Sequence, residues 1–163
     1  MKKAAQPETI VPILSVGGPA EDQVALAEIL SRSGGLLSPG AKWSLQTSPS
    51  VASALATLRQ QTVPVVICET DLGGASWREF WAQAIQLPDP PFVIVTSRLA
   101  DEYLWAEALN LGVYDVLAKP FQPAEVLRSI SQAWLQRSNR RTNRPLAAIG
   151  HPHALNTQGA LAI

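Results

Sequence analysis

Val63-Pro64-Val65-Val66-Ile67-Cys68, followed by Glu69, is the stretch from which the fold is read. It is a continuous apolar run of strand length, the pattern of a central strand buried on both faces of a sheet. Working outward, residues 92–96 and 113–118 repeat the pattern, residues 10–16 give a first strand ended by Gly17-Gly18-Pro19, and residues 43–47 alternate weakly, as an edge strand does. Between these runs the spacing changes to that of helices. Pro19 opens the first, with Val24, Ala27, Ile29 and Leu30 as its apolar stripe and Ser33-Gly34-Gly35 as its stop. Val51, Ala54, Leu55 and Leu58 define a second. Ser76 with Glu79 forms a capping box for a third, carrying Phe80, Trp81, Ala84 and Ile85 and ended by the prolines around Asp89. Asp101 caps a fourth with Leu104, Trp105, Ala108 and Leu111, stopped by Gly112, and Pro123 starts a fifth through Val126, Leu127, Ile130 and Trp134.

Five strand–helix pairs predict an open, parallel, doubly wound α/β sheet. Its functional crevice lies outside the carboxyl ends of the strands, so the loops after Val16, Cys68, Val95 and Ala118 are where chemistry is expected. The division expected is an N-terminal extension over residues 1–9, one domain over 10–137, and a flexible tail over 138–163, where the periodicity fades.

Composition narrows the function. The chain has 163 residues, 47% hydrophobic and 16% charged, with 13 Lys+Arg against 13 Asp+Glu. A dedicated nucleic-acid binder would carry a basic excess. The apolar runs are too short to span a bilayer, and the single cysteine, Cys68, points to a reducing, cytoplasmic setting in which it serves as a buried hydrophobe.

Gly112-Val113-Tyr114-Asp115-Val116-Leu117-Ala118-Lys119-Pro120-Phe121 resembles the Gly-Ala-x-x-Tyr-Leu-x-Lys-Pro-Phe stretch of the receiver domain of bacterial response regulators. Thr96 at the end of the fourth strand, Asp101-Glu102, and Pro123-Ala124-Glu125 fit the same family. The resemblance covers residues 10–137 and implies the flavodoxin-like fold with strand order 2-1-3-4-5, and a usually cis Lys-Pro bond at Lys119-Pro120. It also implies a chemistry: a histidine kinase passes a phosphoryl group to an aspartate ending strand three. Two acids after strand one hold a magnesium ion with that aspartate, while a lysine and a threonine meet the phosphoryl oxygens.

This sequence departs from the pattern where the chemistry lies. Glu69 takes the aspartate's place, and Gly17 and Gly18 take those of the two acids. Glycine offers no carboxylate, so no cofactor and no tight magnesium site are expected. Glutamate's extra methylene displaces its carboxylate by ~1.5 Å, and a misplacement of about 1 Å can cost on the order of a hundredfold in rate. Glu69 can reach Lys119, either as a partial mimic of the phosphorylated state or as a plain structural ion pair. Glu21 and Asp22, on the first helix, are expected to face solvent. Asp71 is the one alternative acid, as an acceptor or in an altered cation site, although an Asp before Leu72-Gly73-Gly74 also reads as a turn residue. The family's switching aromatic is matched by Val116, and Tyr114, at the same strand parity, is expected to cover the same area.

Outside this constellation, Trp77 and Trp81 share a helix face, and Trp105 and Trp134 lie on the fourth and fifth helices, through which receivers dimerise or meet targets. Trp105 and Tyr114 are thus candidate interface residues. Arg137, Arg140, Arg141 and Arg144 read as a solvated basic linker, and His151 and His153 as a poor metal site. The sequence therefore predicts a stand-alone, degenerate receiver acting by protein contact, with a histidine kinase or another regulator as partner, or as a homodimer through the fourth and fifth helices. No membrane or nucleic-acid partner is expected. The opposing readings are a receiver still phosphorylated on Glu69 or Asp71, and a flavodoxin-like nucleotide binder or enzyme.

Overall fold

The computed structural model describes residues 7–33 and 40–143. The elements are β1 (Thr9–Val16), α1 (Ala20–Arg32), β2 (Ala41–Ser48), α2 (Val51–Gln60), β3 (Val65–Glu69), α3 (Trp77–Ala84), β4 (Phe92–Ser97), α4 (Glu102–Leu111), β5 (Asp115–Ala118) and α5 (Pro123–Thr142). The sheet is parallel throughout, in the order β2-β1-β3-β4-β5, which is the doubly wound flavodoxin-like arrangement expected. Gly34-Gly35, Arg144, His151, His153 and all but the first residues of the expected tail lie outside the described residues, as do residues 1–6 of the N-terminal extension.

Successive residues of a strand point to opposite faces, and the central strands are apolar on both. Leu14, Val66, Cys68, Val93, Val95 and Val116 face one side and meet Ala54, Leu55, Trp77, Phe80 and Ala108 of α2, α3 and α4. Ile13, Val65, Ile67, Ile94 and Leu117 face the other and meet Leu26, Leu30, Val126, Ile130 and Ala133 of α1 and α5. Each Val, Leu, Ile or Phe side chain among them contributes roughly 1.5–3 kcal/mol when fully buried. No described helix is long and apolar enough to cross a membrane.

The helix starts follow the expected chemistry. Ser76 and Glu79 close a reciprocal capping box, Ser50 and Ser53 form a second, and Asp101 accepts from the Leu104 amide at 2.9 Å. The stripe of α1 differs from expectation. Leu26 and Leu30 are buried, whereas Val24 is exposed, so the helix is rotated relative to the sequence reading.

The last helix also differs. It continues past Arg137 to Thr142, because polar residues with no apolar stripe still close its backbone bonds, the Asn143 amide reaching the Asn139 carbonyl at 3.0 Å. Arg137 is not a solvated linker residue: it is 5% exposed, donates to the carbonyls of Val63, Pro64, Asp89 and Pro90, and pairs with the Asp89 carboxylate at 2.7 Å. Arg140 lies over the Phe92 ring, 4.9 Å from its centroid. Trp134 packs edge-on against Trp43 at 5.7 Å, on the α1 and α5 side of the sheet.

Candidate functional site

The topology delivers four strand ends to one edge. Val16 pairs with Cys68 and Glu69 with Thr96, so the turn after β1, the last residue of β3 and the fifth residue of β4 lie side by side. Lys119 follows β5, and its amide reaches the Ser97 carbonyl at 3.0 Å; the Lys119–Pro120 peptide is cis.

Glu69 is the centre of the site. Its Oε1 accepts from the Thr70 amide and the Thr70 hydroxyl, both at 2.9 Å. Its Oε2 accepts from the Thr96 hydroxyl at 3.4 Å and from the Lys119 ammonium. Lys119 Nζ also donates to Asp22 Oδ2 at 2.7 Å. The three charged side chains are 5% (Lys119), 11% (Glu69) and 16% (Asp22) exposed, so their interaction is poorly screened by water. Burial alone would pull the Lys119 pKa down. The hydrogen bonds and charges of Asp22 and Glu69 outweigh it and hold the ammonium above the ordinary lysine value. Beside them, burial and the neighbouring Glu69 charge push the Cys68 thiol far up, which leaves it an inert, protonated core residue.

Asp22 corrects the sequence reading. Glu21 does face solvent, where it meets Arg98 at 3.3 Å, but consecutive helix residues point in different directions and Asp22 turns inward. The signal was available: Asp22, Leu26 and Leu30 are spaced i, i+4, i+8, so the carboxylate extends the buried stripe of α1 to the strand ends. Gln23, also missed, donates from Nε2 to the Gly17 carbonyl at 2.5 Å and secures the turn after β1.

Gly17 and Gly18 both hold positive φ, +70° and +84°. A side chain at Gly17 would collide with Leu72, and one at Gly18 would start within 4.0 Å of Gln23, Glu69 and Asp22. The turn is therefore built for glycine, and a carboxylate at either place would be strained.

The remaining candidates sit apart from this cluster. Asp71 is exposed, bridges to Ser76, and accepts from the Gly73 amide at 3.0 Å, the self-bonded geometry of a turn residue. It lines the same open cleft as Gly18, Glu69 and Lys119. Trp105 is 37% exposed on α4. Tyr114 does not cover the area next to Thr96. Its ring packs on Phe92 at 5.2 Å and its amide meets the Val93 carbonyl, three residues before Thr96, roughly 10 Å away at ~3.3 Å per residue. Val116, the residue matched to the family's aromatic, is buried beside Val95 in the sheet.

An acid, a threonine and a lysine at adjacent ends of a five-stranded parallel sheet define a receiver-type signalling fold. The profile of the response regulator receiver domain family matches residues 20–131, and the chain belongs to that family. Among solved structures it is similar to the signal receiver domain of an HD domain-containing protein from Pseudomonas fluorescens Pf-5, at 23% identity, covering 88% of this chain and 99% of that one, with a TM-score of 0.70. It is similar also to a CheY-like response regulator receiver domain protein from Methanospirillum hungatei JF-1, at 17% identity over 81% and 99%, TM-score 0.68. NtrX from Brucella abortus matches at 22% identity over 82% of this chain and 29% of its own length, TM-score 0.68. No curated protein matches.

The magnesium ion that the family implies does not fit these residues. Gly17 and Gly18 bring no ligand side chain, and the carboxylates of Asp22 and Glu69 are both bonded to Lys119. Among the described residues no cluster of three His, Cys, Asp or Glu side chains is placed to hold a metal.

Proposed function

We propose that this receiver domain signals through protein–protein contact, its acceptor position held in a fixed ion-paired state and not visited by a transient phosphoryl group. Glu69 stands at the acceptor position, Gly17 and Gly18 at those of the acidic pair, and Thr96 and Lys119, with Pro120, at the switch. The observation that supports the reading is the engagement of Glu69, whose two oxygens are bonded by Thr70, Thr96 and Lys119. An attacking carboxylate needs a lone pair aimed at phosphorus and a cation ready to offset the charge that builds up. Here the lysine that would meet that charge is paired with two carboxylates of its own.

The partner in this reading is a protein of a cytoplasmic signalling pathway, a histidine kinase or another regulator. Leu99, Tyr103, Trp105 and Leu109, exposed on α4 and the loop before it, offer apolar contact area, with a homodimer through α4 and α5 as the alternative assembly. The test is incubation with acetyl phosphate and magnesium, read by intact mass, alongside Glu69→Gln and Asp71→Asn. No mass change is expected. A gain of one phosphoryl group that either variant abolishes overturns the proposal and identifies the acceptor.

A further inference from the structure

We infer that the ammonium of Lys119 stands where a bound cation would stand, so that the site is closed to divalent ions by its own side chain and opens to them when that side chain is removed. The inference rests on the reading of Glu69 as the acceptor position and concerns the regulation of that same site.

The geometry is that of a cation among oxygens. Lys119 Nζ is 2.7 Å from Asp22 Oδ2 and bonded to Glu69 Oε2. Calcium takes oxygen ligands at about 2.3–2.6 Å and magnesium at about 2.0–2.1 Å. The ammonium thus fills nearly the volume that calcium would take between the same two oxygens, whereas magnesium requires them to draw inward. Gln23 Oε1 is buried with no donor among the described residues, and Gln23 lines a small void with Ser15, Asp22, Glu69 and Thr96.

Charge gives the same answer. Asp22, Glu69 and Lys119 together carry one negative charge, and without the ammonium the two carboxylates match a divalent ion. In the native protein an entering ion must displace Lys119 and leave a buried ammonium unpaired, a state far costlier than the pair. The positive φ of Gly17 and Gly18 disfavours the other route, the return of carboxylates to the turn after β1.

The experiment uses the full chain with Lys119→Met and Lys119→Gln, titrated calorimetrically with calcium and magnesium chloride. Urea midpoints are measured in parallel, in calcium chloride and in sodium chloride of equal ionic strength. The native protein is expected to give no binding heat and no midpoint shift at millimolar ion. The variants are expected to bind calcium more tightly than magnesium, with Kd on the order of 10⁻⁴–10⁻³ M as for weak oxygen-ligand sites, and to gain stability from calcium. Adding Asp22→Asn should abolish both effects. A variant that folds only with calcium also supports the inference. Submillimolar binding by the native protein overturns it, as does failure of both variants to gain binding or stability. Ion binding by the native protein without phosphorylation sinks this inference alone. Phosphorylation of the native protein sinks the functional reading.

Discussion

Asp22 and Lys119, 97 residues apart, are joined by a 2.7 Å bond between Oδ2 and Nζ at the carboxyl edge of the sheet. The bond links the first turn of α1 to the end of β5, across the strand that carries Glu69. It makes Lys119 a shared partner of two acids, and it ties α1 to the carboxyl edge of the sheet.

Asp22→Asn should therefore destabilise while Glu21→Gln should not. The Asn variant keeps a hydrogen-bonding group but weakens a charge-assisted bond in a partly dry site, which costs on the order of 1–3 kcal/mol. Glu21, whose only ion-pair partner among the described residues is the exposed Arg98, should change stability by less than about 0.5 kcal/mol. Urea unfolding of the two variants checks the contrast, and equal effects would mean that Asp22 faces solvent after all.

Stability should fall as pH rises above about 9. Lys119 binds its proton more tightly folded than unfolded, so its contribution is fully present below the ordinary lysine value of 10.5 and is lost as pH rises through the raised folded value. Two other groups act in the same direction from lower starting points. The Cys68 thiol, held protonated by burial and then by Glu69, enters from an ordinary 9.0. The Tyr114 phenol, raised by burial and then by Asp115, enters from 10.0. Urea midpoints between pH 8 and 11, in the native chain and in Cys68→Ala, Tyr114→Phe and Lys119→Met, separate the three. The Lys119 variant should lose the steepest, most alkaline part of the slope.

The sheet was legible because its central strands are apolar on both faces, and residues 65–68 and 93–95 are accordingly buried. Lys119, Thr96 and Glu69 could be brought together from sequence because each lies at or just beyond the carboxyl end of a strand, and parallel strands share one carboxyl edge. Asp22 could not be found by hydrophobicity, since the buried stripe of α1 ends in a carboxylate. Reading Val24 into that stripe turned the helix the wrong way. Tyr114 failed for a different reason. Strand parity applies only inside a strand, and β5 begins at Asp115, whose carboxylate is bonded to the Val116 amide and to Ser129. The alternation breaks there and sends Tyr114 to the Phe92 side.

Gly17→Ala should cost more than Gly73→Ala, although both glycines have positive φ, +70° and +65°. The shared backbone penalty is roughly 1–2 kcal/mol. Gly73 has nothing near its missing Cβ, whereas at Gly17 the methyl meets the Leu72 side chain, adding about 1–3 kcal/mol of overpacking. Pairing Gly17→Ala with Leu72→Ala in a double-mutant cycle should recover the extra cost, and additivity would show that the collision is absent.

Arg137→Ala should be the most damaging single change at a charged residue away from the strand ends. Its guanidinium ties α5 to the carbonyls of Val63 and Pro64, which precede β3, and of Asp89 and Pro90, which precede β4. Removing it leaves those carbonyls at a buried helix–sheet junction without this donor, which argues for a loss on the order of 3 kcal/mol. Asp89 is half-exposed, so Asp89→Asn should cost only about 1 kcal/mol or less. Arg141→Ala, on the exposed side of the same helix, should stay within about 0.5 kcal/mol. Chemical denaturation of the three variants orders them. If Arg137→Ala and Arg141→Ala prove alike, the bonds to the carbonyls before β3 and β4 contribute nothing to stability.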